Sequence, residues 1–407
     1  MDRHIRRTIA AVFGCSVVLW CAVARADDGA AAPAPTPAPS PAPSDQKKTG
    51  TDTKIIPLPI YSTLPNEGNT FGFMPVFLVV DAESRRTVSI VAPSVSWNSV
   101  LGVTGTMRWF HYPDLPRALT LRASVSQHVN WSGLLLWSNR PRESGRWTDD
   151  VLLRVERNVF FRFFGLGPDT NDSAETSHTR VRGQLELRRG LNLGSNFNVG
   201  ARVAFYGDNV NRRSVPDLPA SQDVFPDVPG MKGAAVMGGG IDVRYDSRPQ
   251  YEFSRAGFYS IWSVRYFYGL EKSPNFARFE FETRGLLQEL DWLHLGARFF
   301  ASYVSSRDTP FYYQSSLGGS YLMRGFTEDR FIDRGAWTVE LEQRVRLFNT
   351  HIFGVTAEWR IDPFIAVGQV FSDRDQIFSH VRVAEGVGFS RLRSSDGARS
   401  RRRRDGR

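Results

Sequence analysis

The 407-residue chain has a net charge of +9, but that charge is confined to its two ends. Residues 1–26 contribute +3 and residues 391–407 contribute +6, so the body between them is neutral. A basic surface for nucleic acid is therefore not supported, and no nucleic-acid partner is predicted. Both cysteines, Cys15 and Cys21, lie within the first 26 residues, which leaves the remainder without a thiolate ligand, disulfide or cysteine nucleophile.

Residues 1–26 have the pattern of a secretory signal peptide. A basic start is followed by an apolar segment over residues 9–23 and by the small-x-small sequence Ala24-Arg25-Ala26. The apolar segment is too short to span a membrane comfortably, which disfavours a membrane anchor. A lipoprotein signal at Cys21 is the other alternative, and the bulky Trp20 before it disfavours that interpretation.

Residues 27–53 are dominated by alanine and proline. Such a composition cannot bury an apolar core and favours an extended polyproline conformation. We therefore expect a linker in the periplasm between the signal peptide and the folded part of the chain.

From residue 54 onward the chain alternates between apolar and charged side chains. The clearest alternating runs are Val151–Asn158, Arg180–Arg188, Phe279–Arg284 and Val339–Leu347. A two-residue period predicts β-strands with one apolar and one charged face. No apolar run is long enough for a transmembrane helix. The fold class is therefore predicted to be all-β.

Two architectures are compatible with this alternation. A soluble sandwich would bury the apolar faces in a shared core and leave the charged faces in water. A transmembrane antiparallel β-barrel would turn the apolar faces to lipid, with aromatic residues near the strand ends, as at Trp109, Phe110 and Tyr112. The export signal and the long intervals at 166–179, 207–232 and 306–335 favour the barrel.

The longest Gly-containing interval has Arg324-Gly325-Phe326 at its centre. A guanidinium is a rigid fork of donors that prefers a carboxylate partner, and a large aromatic ring is an apolar anchor. Glycine allows close approach of the backbone. The next run reads Glu340-Leu-Glu-Gln-Arg-Val-Arg346, which places charges on every second residue and fits a strand with one charged face.

This combination resembles the BamA/TamA superfamily of outer-membrane barrels, also called the bacterial surface antigen family. The resemblance is carried by Arg324-Gly325-Phe326, by Leu317-Gly-Gly ahead of it and by Glu342-x-Arg344 after it. Further similar stretches are Phe163-Phe-Gly-Leu-Gly-Pro-Asp-Thr170 and Asp242-Val-Arg-Tyr-Asp-Ser-Arg248. The similarity extends over about residues 54–390, most of the chain beyond the signal peptide and linker.

The resemblance implies a sixteen-strand barrel with the long loop folded into its lumen, where Arg324 meets acidic residues. Glu342 matches one family partner of this arginine. The position of the second partner is occupied by Ala366, so Asp362 and Glu358 are the candidate substitutes. The alternative is an Arg-Gly-Phe tip exposed at the cell surface.

Two features depart from the family pattern. The 27 residues of the linker are too few for a periplasmic POTRA domain, which predicts a member without POTRA domains. About fourteen or fifteen strands are readable, and three alternating runs follow the loop where the family has five. A truncated or frame-shifted C-terminus would explain this, as would a genuine Arg-rich tail with a partner filling the gap.

The predicted organisation is a signal peptide (1–26), a linker (27–53), an outer-membrane β-barrel (54–392) and a disordered Arg-rich tail (393–407). By resemblance, the protein would insert or translocate proteins or lipids at the bacterial outer membrane. The alternative is a passive diffusion channel or a structural barrel. Expected partners are outer-membrane lipid and, in addition, protein clients or a periplasmic partner.

No enzymatic site is predicted. The seven histidines are scattered without metal-ligand spacing, and no nucleophile elbow or phosphate-binding glycine loop is present. We therefore expect no catalytic residue, no metal and no cofactor.

Overall fold

The computed structural model describes residues 50–393, except 65–66, 84–85, 115, 142–144, 213–214, 249–255 and 353–354. The predicted signal peptide, nearly all of the predicted linker and the predicted Arg-rich tail beyond Arg393 lie outside the described residues. The first strand begins at Thr51, three residues before the predicted start of the barrel.

Within the described residues the chain is almost entirely β-structure. Its strands are β1 (Thr51–Leu64), β2 (Gly68–Asp81), β3 (Thr87–Val91), β4 (Ser94–Asn98), β5 (Gly102–His111), β6 (Arg117–Ser126), β7 (Trp131–Asn139), β8 (Trp147–Phe163), β9 (Thr176–Leu193), β10 (Phe197–Asn211), β11 (Ala234–Asp246), β12 (Gly257–Leu270), β13 (Phe276–Leu290), β14 (Leu293–Val304), β15 (Ser315–Leu317), β16 (Phe331–Asp333), β17 (Gly335–Ile352), β18 (Val355–Phe371) and β19 (Arg382–Arg393). The helical elements are single turns, such as α1 (Ser221–Val224). In this part of the chain, no helix is long and apolar enough to cross a membrane.

All strands except β15 and β16 belong to one antiparallel sheet, in which each strand pairs with its neighbours in sequence. The strands β3 and β4 are two halves of one strand, because both pair with β2 and β5 on either side of a break at Ala92-Pro93. Counted in this way, the described sheet has sixteen strands, as the resemblance implies.

The strand count corrects one sequence-based expectation. The loop that carries Arg324 is preceded by thirteen strands of the described sheet and followed by three. Three strands follow the loop, as the sequence predicts. The sheet still reaches sixteen strands, because two more strands precede the loop than the family pattern implies. The short strands β3 and β4 and the proline-containing β1 have weak alternation, which explains why sequence reading gave fourteen or fifteen strands.

The connections differ in length at the two ends of the sheet. At one end, here called the short-turn end, residues 194–196 and 291–292 are typical connections. At the other, the long-loop end, the connections include residues 164–175, 212–233 and 305–334. Outer-membrane barrels have this asymmetry, with short turns in the periplasm and long loops outside the cell.

The two faces of the sheet differ in chemistry as the alternation predicts. The outer face is apolar and exposed, as shown on β17 by Val339 and Leu341, which are 40% and 45% exposed. The intervening Glu340 and Glu342 point to the inner face, where they pair with arginines. An apolar outer face and a charged inner face are what a membrane barrel requires, and a sandwich core would have buried Val339 and Leu341.

A buried ion pair crosses the inner face near the short-turn end. Arg188 and Asp242 are 4% and 2% exposed, and the guanidinium Nε and Nη2 donate to the carboxylate at 2.8 and 2.7 Å. The guanidinium lies directly over Gly190 and Gly200, where any Cβ atom would collide with it. Glycine at these two positions therefore makes the room that the arginine needs to reach β11.

We predict that Gly200→Val lowers barrel stability by about 1–3 kcal/mol, because the added side chain displaces the Arg188 guanidinium. The measurement is the temperature at which the barrel changes its migration in semi-native gels. Gly207→Val on the same strand is the control, since a Cβ at Gly207 meets no atom within 4 Å. Equal effects of the two substitutions would contradict the prediction.

Candidate functional site

The loop between β14 and β17 is shaped by its own short hairpin. The strands β15 and β16 pair antiparallel, with Leu317 opposite Phe331. Gly318 follows with φ of 121°, and a Cβ there would collide with the carbonyl oxygen of Thr327. The Gly318 N–H donates to the carbonyl of Leu322 at 3.1 Å, which folds the tip back. The Leu-Gly-Gly sequence is thus required by the tight turn that leads into the Arg-Gly-Phe tip.

Apolar side chains anchor this loop to the inner face of the sheet. Leu317, Met323 and Phe331 are at most 4% exposed. They pack against small wall residues of β17, β18 and β19: Ala336, Ala366, Val370 and Ala384. Phe326 of the tip packs against the same cluster. Because the wall side chains are small, the loop lies close to the sheet instead of standing above it.

Arg324 lies between two wall carboxylates. Its Nη2 is 2.7 Å from Glu340 Oε1 and 2.6 Å from Glu342 Oε2. The guanidinium also stacks on the ring of Phe364, with 3.9 Å between its central carbon and the ring centroid. The carboxylate side chains are only 13% exposed, so these charge-assisted bonds act in surroundings of reduced dielectric constant.

The structure brings Arg324 and the predicted partner Glu342 together, but not Arg324 and the two candidate substitutes. Glu358 is 3.8 Å from Arg346 and 3.6 Å from Arg360. Asp362 lies on the same strand, opposite Gly388 of β19. The register places both acids away from the tip: Arg324 lies at the level of Phe364 and Ala366, closer to the long-loop end than either acid.

Glu340 is the partner that sequence reasoning missed. Its cross-strand neighbour on β18 is Ala366, the position where the family pattern places an acid. The carboxylate is therefore supplied from β17 instead of β18, at the same height in the wall. The signal was present in the sequence, since Glu340 and Glu342 are two residues apart and share a strand face.

A second polar contact holds Tyr321, three residues before Arg324. The hydroxyl of Tyr321 donates to Glu282 Oε2 at 3.1 Å, and its ring lies 3.8 Å from the guanidinium carbon of Arg298. Arg284 and Arg298 both donate to Glu282 Oε1, at 2.6 and 2.8 Å. The alternation of β13 placed these charges on one face, but nothing in the sequence indicated that Tyr321 would meet them.

Arg330 ties the same loop to the loop between β8 and β9. Its guanidinium donates to Thr170 Oγ1 at 2.6 Å and to Asp172 Oδ1 at 2.7 Å, and stacks on Phe164. Arg330 is 6% exposed. The stretch from Phe163 to Thr170, which resembles a family motif, thus supplies contacts that hold this arginine.

The loop between β10 and β11 completes a cover at the long-loop end. Phe311 donates its N–H to the carbonyl of Pro229 at 2.9 Å. The Tyr313 hydroxyl donates to Asp208 Oδ2 at 2.7 Å, and burial raises the pKa of that tyrosine. A buried apolar cluster fills the space between these loops, with side chains from the β10–β11 and β14–β17 loops and from β8 and β10: Phe163, Val210, Met231, Phe311 and Ile332.

Comparison with protein families identifies the class. The Omp85 superfamily domain matches residues 116–399, which is more than half of the chain. The chain therefore belongs to the Omp85 superfamily, and it is an outer-membrane barrel of the BamA/TamA type.

Solved structures of this class are similar to the chain at low identity. BamA from Haemophilus ducreyi lacking POTRA domains 1–3 is 12% identical, with a TM-score of 0.49, and the match covers 84% of this chain and 72% of that one. CdiB from Acinetobacter baumannii is 11% identical, with a TM-score of 0.38, and the match covers 84% of this chain and 59% of that one. No curated protein sequence matches the chain.

We predict that Arg324→Ala and Glu342→Ala are strongly non-additive, because the two side chains are in direct contact. A coupling free energy of roughly 0.5–3 kcal/mol is expected for such neighbours. The double-mutant cycle is measured by denaturant unfolding of the refolded barrel, and a second cycle with Glu340→Ala should give coupling of similar size. Additivity in both cycles would contradict the contact.

We also predict that Gly318→Ala releases the loop tip, because the added methyl group collides with the Thr327 carbonyl. Protease added outside intact cells should then cleave within residues 318–330. Gly167→Ala is the matched control: it also has a positive φ, of 104°, but a Cβ there meets no atom within 4 Å. Cleavage in both variants would show that strain at a glycine, and not this collision, is responsible.

Proposed function

We propose that the protein inserts proteins or lipids into the bacterial outer membrane, or translocates them across it, with the β14–β17 loop as an internal plug. The observation that carries the proposal is the position of Arg324, which holds the loop tip against the inner wall. Membership of the Omp85 superfamily supports the same class of activity.

The contacts of the loop suit a plug that can be displaced. The tip has polar contacts at Arg324 and Tyr321, and the side chain of Arg324 is 27% exposed, so water can replace its bonds. Met323 and Phe326 of the tip also pack in the apolar cluster, together with Leu317 and Phe331 of the hairpin. A client that competes for the wall carboxylates would therefore replace the polar contacts first, and further movement of the tip would draw these two side chains out of the cluster.

A plugged barrel and a passive diffusion channel differ in conductance. We predict small, flickering currents for the native protein in planar bilayers, and larger currents for Arg324→Ala, because the freed tip unblocks the lumen. The control is Arg307→Ala, whose guanidinium pairs with Asp373 at the exposed long-loop end and does not reach the wall carboxylates. A large, steady current through the native protein would support the diffusion channel instead.

The same variants test the assembly activity. Cells whose only copy of the protein carries Arg324→Ala should contain altered amounts of outer-membrane proteins or lipids, relative to cells with the native chain. Normal outer-membrane composition in cells lacking the protein altogether would contradict a role in assembly.

A further inference from the structure

The arginines of the inner wall are not all balanced by acids. On the inner faces of β9–β14, β17 and β18, every described arginine has a carboxylate within 4 Å. Charged side chains on this wall are thus normally neutralised by a neighbour on the same or the next strand. Among the described residues, Arg382 of β19 is an exception that donates to the carbonyl of Pro168 and lies over the Phe331 ring. Three further exceptions lie together on β5, β6 and β8.

These three arginines, Arg108, Arg122 and Arg154, form one transverse row. Arg108 lies directly opposite Arg122 in the register of β5 and β6. Arg122 lies opposite Leu134 of β7, and Leu134 lies opposite Arg154 of β8. Because residues directly opposite each other share a face, all three guanidiniums point to the same side of the sheet. That side is the inner face, since Arg108 also contacts Met74 of the buried inner cluster.

The partners of this row are neutral. Arg108 donates to Ser94 Oγ at 2.9 Å, and Arg154 donates to Gln184 Oε1 at 3.4 Å. No ion pair within 4 Å joins any of the three to a carboxylate among the described residues. Arg122 is exposed to the lumen and makes no hydrogen bond within the described part of the chain. Its donors are therefore available to a ligand.

The row is destabilising as it stands, because like charges directly opposite each other in a sheet repel. In the adjacent rows of β5 and β6 the opposed residues are uncharged: Thr106 and Ser124 are hydrogen-bonded at 2.9 Å, and Thr104 and Ser126 at 2.8 Å. The wall beside Arg108 and Arg122 therefore offers hydroxyl groups, and the acid in the adjacent row, Glu156 on β8, is paired with Arg182 at 3.4 Å. A bound anion would remove the repulsion and fill the free donors.

We propose that Arg108, Arg122 and Arg154 form a binding site on the inner wall for the phosphate group of an anionic ligand. Guanidinium forks bind tetrahedral oxyanions with paired hydrogen bonds, and a dianion balances the two opposed charges of Arg108 and Arg122. The neighbouring hydroxyls supply further donors. The site lies on strands other than those that contact Arg324 and Tyr321, and it does not depend on the proposed translocation activity.

The first test is titration of the refolded full-length protein with inorganic phosphate at constant ionic strength, followed by calorimetry. Arg122→Gln and Arg108→Gln should each weaken binding at least tenfold. Arg346→Gln is the matched control, since Arg346 is also on the inner wall but is 3.8 Å from Glu358. Absence of phosphate binding, or equal loss in all three variants, would overturn the proposal.

A charge reversal separates binding from folding. Arg122→Glu places a carboxylate opposite Arg108, which should raise the temperature of the heat-modifiable transition while abolishing phosphate binding. Loss of binding in a more stable barrel cannot be ascribed to misfolding. Phosphate affinity unchanged by this reversal would show that the anion binds elsewhere and would overturn the site.

The source of the phosphate is resolved by comparing glycerol phosphate with a short-chain phosphatidic acid. Binding of both that is lost in Arg122→Gln supports a site for the phosphate group alone. Binding of only the lipid, again lost in Arg122→Gln, supports the site with an acyl chain as part of the ligand. Failure of both to bind would overturn it.

Discussion

The contact of Arg324 with Glu340 and Glu342 is the interaction on which the position of the long loop against the inner wall depends. One guanidinium meets two carboxylates of a single strand, and each acid is mostly shielded from water. Removing one partner of a shielded ion pair leaves an uncompensated charge, which is far more costly than losing an exposed pair. The loop tip is therefore fixed at one height on β17, and the apolar cluster around Met323 then fits against the small residues of β18 and β19.

The long loop has a second set of contacts with a different chemistry. Arg330 and Phe311 bind loops at the long-loop end, whereas Arg324 and Tyr321 bind the wall. The polar contacts of the two sets share no side chain, but Phe331 contacts both Arg330 and Phe326 and so joins the tip to the cover. On the proposed function, this separation of the polar contacts would let Arg324 and Tyr321 leave the wall while the contacts of Arg330 and Phe311 persist.

Much of the sheet could be predicted from the sequence because the two-residue period is a local property. The charged faces of β9, β13 and β17 and the Arg-Gly-Phe tip were found in this way. Glu358 and Asp362 were the candidates for the second partner of Arg324, and Glu340 was missed, since the partner depends on the register between β17 and β18 and on the depth to which the loop descends. Contacts between distant loops, such as Arg330 with Thr170, have no local signal.

The most direct test of the account is whether the tip touches the wall in the membrane. Cysteines at Phe326 and Ala384, which belong to one packed cluster, should be joined by a short bifunctional thiol reagent in outer-membrane fractions. A pair at Phe326 and Ser132, on the inner face of β7, is the control and should not react. Cross-linking of the first pair alone supports the internal plug; no cross-link, or equal reaction of both pairs, would contradict it.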